Sequence, residues 1–158
     1  MKKTTVCFTG HRDIPANKRK EILQQLAHTI GELYLEGYRT FCTGGALGFD
    51  TLAAAVVLML KKKKQDVRLH LLLPCPDQAN GWKQWDAKMY EAIKDEADEI
   101  SYAAPQYERG CMHTRNRQLV DSSSVCVAYI TKKTGGTAYT VDYAEKKGCR
   151  IINIAEQI

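Results

Sequence analysis

Two glycine-rich segments have residue types and spacings that suit phosphate binding. The first is Thr43-Gly44-Gly45-Ala46-Leu47-Gly48-Phe49-Asp50, which follows a strand-like run and opens a helix-like one. Glycines in such a turn let backbone N–H groups approach a phosphate at the positive end of the helix. The alternative is a tight turn that only packs the helix against the strand. Asp50 is either a capping carboxylate in the first helical turn or an acceptor for ribose hydroxyls.

The second segment is Thr134-Gly135-Gly136-Thr137, which also lies between strand-like and helix-like sequence. Thr137 and Thr140 would add hydroxyl groups to the N–H donors of that helix terminus. A flexible, hairpin-like connection is the alternative for this segment. The two segments together predict a binding site for a phosphate-bearing, nucleotide-like ligand.

Two arginines are placed to neutralise such a phosphate. Arg12 belongs to Thr9-Gly10-His11-Arg12, the turn after the first predicted strand, where its guanidinium could donate two hydrogen bonds to phosphate and His11 could contact a base or ribose. Arg115, followed by Asn116, lies near the start of a predicted helix, where a cation opposes the helix dipole and needs an anion nearby. The alternatives are a solvated loop for Arg12 and a surface ion pair for Arg115.

A polar and aromatic cluster follows the third predicted strand, namely Gln78, Trp82, Trp85 and Asp86. Trp82 would share a helix face with Trp85 or Asp86, because residues three or four apart are neighbours on a helix. One of these rings could stack on a nucleobase. Core packing or helix-to-helix contact is an equal alternative, since large aromatic rings bury much area wherever they lie.

Strands alternate with helices along the chain that carries these residues. Strands are predicted at 4–9, 38–42, 67–73, 98–102, 124–130 and 150–154. One helix has its apolar positions between 22 and 34 and stops at Gly37, and others are predicted at 49–63, 82–97, 113–120 and 137–147. This alternation predicts an α/β Rossmann-like three-layer sandwich with a mostly parallel sheet and helices on both faces. Ligands of such sheets bind outside the carboxyl ends of the strands.

Composition is that of an ordinary water-soluble domain. With 158 residues, 44% hydrophobic and 26% charged, we expect residues 1–158 to form a single domain. The longest nearly apolar stretch, 52–60, is far shorter than the ~20 residues that span a bilayer, and the first residues lack a secretory apolar region, so we expect a cytoplasmic protein without a membrane partner. The six cysteines lack metal-ligand spacing, and neither a metal nor a required cofactor is predicted. The net charge of +5 suits small anions, and nucleic acid is a less favoured partner.

Five motifs taken together resemble the YpsA/YoqJ-type branch of the SLOG superfamily. They are TGHR after the first strand, TGGALGFD after the second, the LPC…Q…W segment, CMHTRNRQLVD and TGGTAYTV, and the resemblance extends from about residue 6 to residue 154. It implies a Rossmann-like fold, nucleotide or nucleic-acid ligands, and a homo-oligomer that pairs through helices.

The resemblance also bears on catalysis. The related LOG phosphoribohydrolases use the Arg of an Arg-Lys helix motif and the Glu of a PGGxGTxxE motif to cleave the N-glycosidic bond of a nucleoside monophosphate. Here MHTRNRQLV resembles the first motif, with Arg115 at the arginine, whereas Thr140 occupies the position of the glutamate and Asp142 is the nearest acid. Hydrolysis of that type would therefore need Asp142, Asp50 or Asp86 as its carboxylate.

We therefore expect binding, for sensing or sequestering, of a small nucleotide or nucleotide-derived signalling ligand. Phosphates would lie on the N–H groups of Gly44, Gly45 and Gly136, Arg12 and Arg115 would neutralise their charge, and Trp82 would cover the base. The first alternative is a nucleotide hydrolase or N-glycosidase. The second is single-stranded DNA binding, as in the DNA-uptake relatives of the superfamily.

Overall fold

The computed structural model describes residues 2–158, and its centre is a six-stranded sheet. The strands are β1 (Thr5–Gly10), β2 (Thr40–Thr43), β3 (Arg68–Leu73), β4 (Glu99–Tyr102), β5 (Val125–Tyr129) and β6 (Arg150–Asn153). All neighbouring pairs are parallel, in the order β4-β3-β2-β1-β5-β6. The predicted fold class is confirmed.

Five α-helices connect these strands. They are α1 (Arg19–Leu35), α2 (Phe49–Lys63), α3 (Gln84–Glu96), α4 (Cys111–Asp121) and α5 (Gly136–Lys146). Short 3-10 turns occupy Lys2–Thr4, Ala16–Lys18 and Ile154–Glu156. None of the helices within residues 2–158 is long and apolar enough to cross a membrane.

Two helices begin at residues other than those predicted. Helix α4 begins at Cys111, earlier than residue 113, because Gly110 adopts a left-handed conformation (φ 85°) that turns the chain directly into the helix. Helix α3 begins at Gln84 and not at residue 82, because the N–H of Trp82 bonds to the carbonyl of Ala79 in the preceding turn.

The helices form one layer on each face of the sheet. Val6 and Phe8 of β1 pack in the larger core with residues of α1, α2 and α3. Cys7, between them in sequence, points to the opposite face and packs with Leu119 of α4 and Ala144 of α5. Burial on both faces accounts for the nearly continuous apolar sequences of β1 and β5.

The strand order reverses at β1. From β1 the chain moves outward through β2, β3 and β4, and it then returns to the other side of β1 to add β5 and β6. The connections after β1 and β5 therefore leave the sheet toward opposite faces. A crevice forms between them at the carboxyl edge, which is the usual ligand position in doubly wound sheets.

Candidate functional site

A cavity of about 350 Å³ lies at this reversal, and we name it the switch-point cavity. The end of β1 and the turn after it contribute residues 9–12, and the connection from β5 into the start of α5 contributes Lys132 and residues 134–137. Helix α4 adds Arg115 and Asn116, and the turn from β2 into the start of α2 adds Ala46 and Asp50. The fold thus brings together residues from four segments of the sequence.

The second glycine segment faces this cavity with open backbone. Gly135 is the N-cap of α5 with φ 98°, and no side chain caps the helix. A Cβ added at Gly135 or Gly136 would meet no heavy atom within 4 Å among the described residues, so nothing covers these backbone positions. The first N–H groups of a helix have no partner within it. This turn therefore offers free donors and a positive dipole end to an anion.

The first glycine segment has a different role. A Cβ at Gly44 would overlap the guanidinium of Arg115, one at Gly45 would meet Leu73, and one at Gly48 would overlap the backbone carbonyl of Arg12. These glycines are required for close packing, and none of them lines the switch-point cavity.

Two further residues of the predicted phosphate site also serve packing. Thr43 is fully buried, and Gly10 lies where any side chain would overlap the ring of Phe49. Gly10 nevertheless lines the cavity, whereas Thr43 does not.

Asp50 supplies a carboxylate to the cavity. It is 5% exposed, and its Oδ2 accepts a hydrogen bond from the N–H of Ala46 at 3.2 Å. Its Oδ1 is buried and has no hydrogen-bond partner among the described residues. Burial raises the pKa of Asp50 to about 6, although the nearby charge of Arg115 and the N–H of Ala46 act in the opposite direction. Asp50 therefore brings to the cavity a buried carboxyl group with a pKa of about 6, held by the backbone of the turn after β2.

Arg115 is buried beside Asp50 and is held by its neighbours. Its guanidinium donates to the carbonyl of Gly44, to Oδ1 of Asn116 at 2.8 Å and to the sulfur of Met112 at 3.7 Å. It forms no salt bridge with a carboxylate of the described residues, so a surface ion pair does not account for it. Burial lowers its pKa, while Asp50 opposes that effect. Arg115 is thus a fixed positive charge in the cavity wall.

His11 connects the two loops that border the cavity. Its Nε2 accepts a hydrogen bond from the N–H of Thr131 at 2.9 Å, and its ring meets the ring of Tyr129 edge to face at 5.9 Å. Partial burial, followed by the charge of Lys132, lowers the pKa of His11. Both observations agree on a neutral imidazole, because Nε2 can accept only when it carries no proton.

The remaining candidates lie outside the switch-point cavity. Gln78 is buried and donates to the carbonyl of Gly44 and to the hydroxyl of Tyr90. Trp82, Trp85 and Asp86 line a second cavity of about 520 Å³, next to Arg12.

Two candidates on α5 also point away from it. Thr140 is buried and donates to the carbonyl of Gly136 at 2.9 Å, within its own helix. Asp142 is exposed and lies in a separate depression with Asn153. Asp50 is consequently the carboxylate that shares this cavity with Arg115.

Sequence reasoning missed Lys132 as a site residue. Lys132 was not among the predicted site residues, but it lines the same cavity as the open glycines. Its position in the turn after a buried strand, a few residues before Gly135, was the available indication.

These features define a doubly wound, Rossmann-like α/β domain with a polar cavity at its switch point. The model of the YspA SLOG family matches residues 6–154, and the chain belongs to this family. A UPF0398 protein of Halalkalibacterium halodurans is 31% identical over 141 residues, covering 87% of this chain and 72% of the relative. A UPF0398 protein of Bacillus thuringiensis (strain Al Hakam) is 28% identical over 120 residues, covering 72% of this chain and 63% of the relative's length.

Solved structures support the fold. DNA processing protein A of Streptococcus pneumoniae superimposes with a TM-score of 0.68 at 17% identity, over 95% of this chain and 50% of that protein. The Helicobacter pylori protein of the same name, described for its single-stranded DNA binding mode, gives 0.67 at 17% identity over 95% and 64%. Identities this low establish the shared fold alone.

Proposed function

We propose that this domain binds a small nucleotide or nucleotide-derived signalling ligand, with a phosphate at the start of α5 in the switch-point cavity. The observation that carries the proposal is the uncovered Gly135-Gly136 turn, which lines the same cavity as Arg115. A phosphate there would accept from free N–H groups at the positive end of a helix.

The charges around the cavity favour an anion. Arg12, Arg115 and Lys132 line it, and Asp50 is the carboxylate that opposes them. Because burial favours the protonated form of Asp50, its negative charge is easily reduced when a phosphate arrives. The cavity therefore suits the di-anionic or mono-anionic phosphate of a nucleotide.

Asp50 also favours a nucleotide over free phosphate. Its Oδ1 is a buried acceptor without a partner among residues 2–158, and such groups are costly unless a ligand or water satisfies them. A ribose hydroxyl in the cavity would donate to the carboxyl group of Asp50, which lines it. The site thus combines an anion receptor with a hydroxyl acceptor, the two features that a nucleotide needs.

Asp50 supports a second candidate function, hydrolysis of the N-glycosidic bond. A buried carboxyl with a pKa of about 6 is matched to general base catalysis near neutral pH. Ionised Asp50 would take a proton from water while the water oxygen bonds to the sugar C1′, and the C1′–N bond breaks with its electron pair on the departing base. The base nitrogen then takes up a proton from solvent, and Asp50 releases its proton to solvent. Neither Thr140 nor Asp142 lines the cavity, so Asp50 carries this alternative.

A first experiment identifies the ligand. Small molecules released from the purified, denatured protein are analysed by mass spectrometry, and the protein is incubated with nucleoside mono- and diphosphates before chromatography. An intact nucleotide recovered from the protein supports binding, and release of free base supports hydrolysis. If no nucleotide is recovered and the protein binds an oligonucleotide with an affinity that falls steeply with salt, single-stranded DNA binding would replace nucleotide binding and hydrolysis as the function.

The assembly state and the cellular location form a further part of the proposed function. We propose a cytoplasmic homo-oligomer that pairs through helices. Exposed apolar side chains on the helical layer, Leu35 (79% exposed) and Met59 (66% exposed), support a contact there. Light scattering coupled to size-exclusion chromatography measures the mass, and a monomer at all concentrations would contradict the proposal.

A further inference from the structure

Both tryptophans of the sequence line the second cavity, which we name the tryptophan cavity. Arg12 lines this cavity and the switch-point cavity, so the two sites border the same side chain. We infer that the tryptophan cavity holds the second base of a dinucleotide whose first half occupies the switch-point cavity. This inference rests on the proposed function and adds the class of ligand.

Of the two tryptophan rings that line this cavity, one is held by packing and the other is exposed. Trp82 packs edge to face on Tyr90, with ring centroids 5.2 Å apart and planes at 72°, which fixes its orientation. Trp85 is 73% exposed although it is among the largest apolar side chains in the sequence. The exposed indole of Trp85, in a cavity that cationic groups also line, suits the flat face of a nucleobase.

The charged groups of the tryptophan cavity suit the polar half of a nucleotide. Its cations are Arg12, Arg19 and Lys83, and its acids are Asp13 and Asp86. The net positive charge of these groups favours the phosphates that join the two nucleosides of a dinucleotide. The carboxylates can accept hydrogen bonds from ribose hydroxyls.

The segment between the two cavities is anchored to the start of α2. The N–H of Phe49 donates to the carbonyl of His11 at 3.1 Å, and Gly48 lies against the carbonyl of Arg12 so closely that no side chain would fit. The backbone at residues 11–12 is therefore fixed between the cavities, while the side chain of Arg12 is exposed. Phosphates that connect two nucleosides would pass this guanidinium.

Comparing a nucleoside diphosphate with the matching dinucleotide separates the contribution of the second nucleoside to affinity from that of the phosphate charge. Calorimetry compares ADP with diadenosine pyrophosphate, and GDP with diguanosine pyrophosphate, on wild-type protein and on Trp85→Ala. The control variant is Tyr107→Ala, which removes another exposed ring, 64% exposed, outside both cavities. Tryptophan emission reports on the tryptophan cavity directly, because both indoles line it.

We expect one dinucleotide to bind about tenfold tighter than the matching diphosphate and to change the tryptophan emission. Trp85→Ala should remove that gain and leave diphosphate affinity unchanged, and Tyr107→Ala should preserve it. Equal affinity for dinucleotide and diphosphate, with no change in emission, overturns the inference and leaves the proposed function intact. Failure of every probe, diphosphates included, overturns both.

Discussion

The guanidinium of Arg115 donates a hydrogen bond to the carbonyl oxygen of Gly44, 71 residues away in sequence. The contact joins helix α4 to the turn after β2, and both groups are buried. Arg115 therefore holds helix α4 against the turn after β2 and also places a positive charge in the wall of the switch-point cavity.

Because Arg115 joins helix α4 to the turn after β2, its replacement should reduce the free energy of unfolding more than replacement of Arg12. Arg115→Ala should lower the free energy of unfolding by about 2–3 kcal/mol, because it leaves buried acceptors unpaired. Arg12→Ala should lower it by less than about 0.5 kcal/mol, because Arg12 is exposed. Both variants should bind nucleotide more weakly. Urea unfolding and calorimetry measure the two effects, and equal stability of the two variants would contradict this role of Arg115.

Alanine should destabilise the protein more in the first glycine turn than in the second. Gly44→Ala should destabilise the fold by about 1–3 kcal/mol, because its methyl group would overlap Arg115. Gly136→Ala places the methyl group in open space at the start of α5 and should change stability by less than about 1 kcal/mol. Thermal unfolding of both variants checks this. A Gly44→Ala protein as stable as the wild type would show that the turn is not packed as described.

Ligand affinity should depend on pH through Asp50. Its pKa is about 6, so Asp50 is largely protonated at pH 5 and ionised at pH 7. A pyrophosphate diester keeps the same charge over this range, and its affinity should fall a few-fold as pH rises through 6, because a carboxylate then appears beside the anion. Asp50→Asn should flatten that dependence.

A residual dependence in the Asp50→Asn variant would identify His11 as a second titrating group. Calorimetry at intervals between pH 5 and pH 7.5 distinguishes the two. Identical pH profiles for the wild type and Asp50→Asn would contradict the role of Asp50.

His11 should stabilise the loop that carries the open glycines. Because Nε2 of His11 accepts from the N–H of Thr131, His11→Ala should increase hydrogen exchange at the Thr131 amide and cost about 1 kcal/mol of stability. His28→Ala, on the exposed side of α1, is the matched control. The lowered pKa of His11 means that this stabilisation is complete above pH 6.5 and declines as pH falls below it. Unaltered exchange at Thr131 would contradict the link.

The sequence predicted the fold more completely than the site. Apolar runs and glycine stops define strands and helices locally, so the predicted elements are present with small boundary shifts. The sequence around the two glycine turns does not distinguish their roles. Arg115, from a helix distant in sequence, occupies the space beside Gly44, whereas no described residue occupies the space beside Gly135. Trp82 was predicted to cover the base next to the phosphate, and the turn before α3 places it in the tryptophan cavity and not in the switch-point cavity.

An anion that binds at Gly136 should be repelled by a negative charge placed at that residue. Gly136→Glu adds an acid to open space at a helix N-terminus, where Glu is favourable for folding, and Gly31→Glu adds the same acid to open space on α1. Calorimetric titration with ADP and GDP should show affinity at least about tenfold weaker for Gly136→Glu and unchanged for Gly31→Glu. Wild-type affinity in the Gly136→Glu protein would contradict the proposed site.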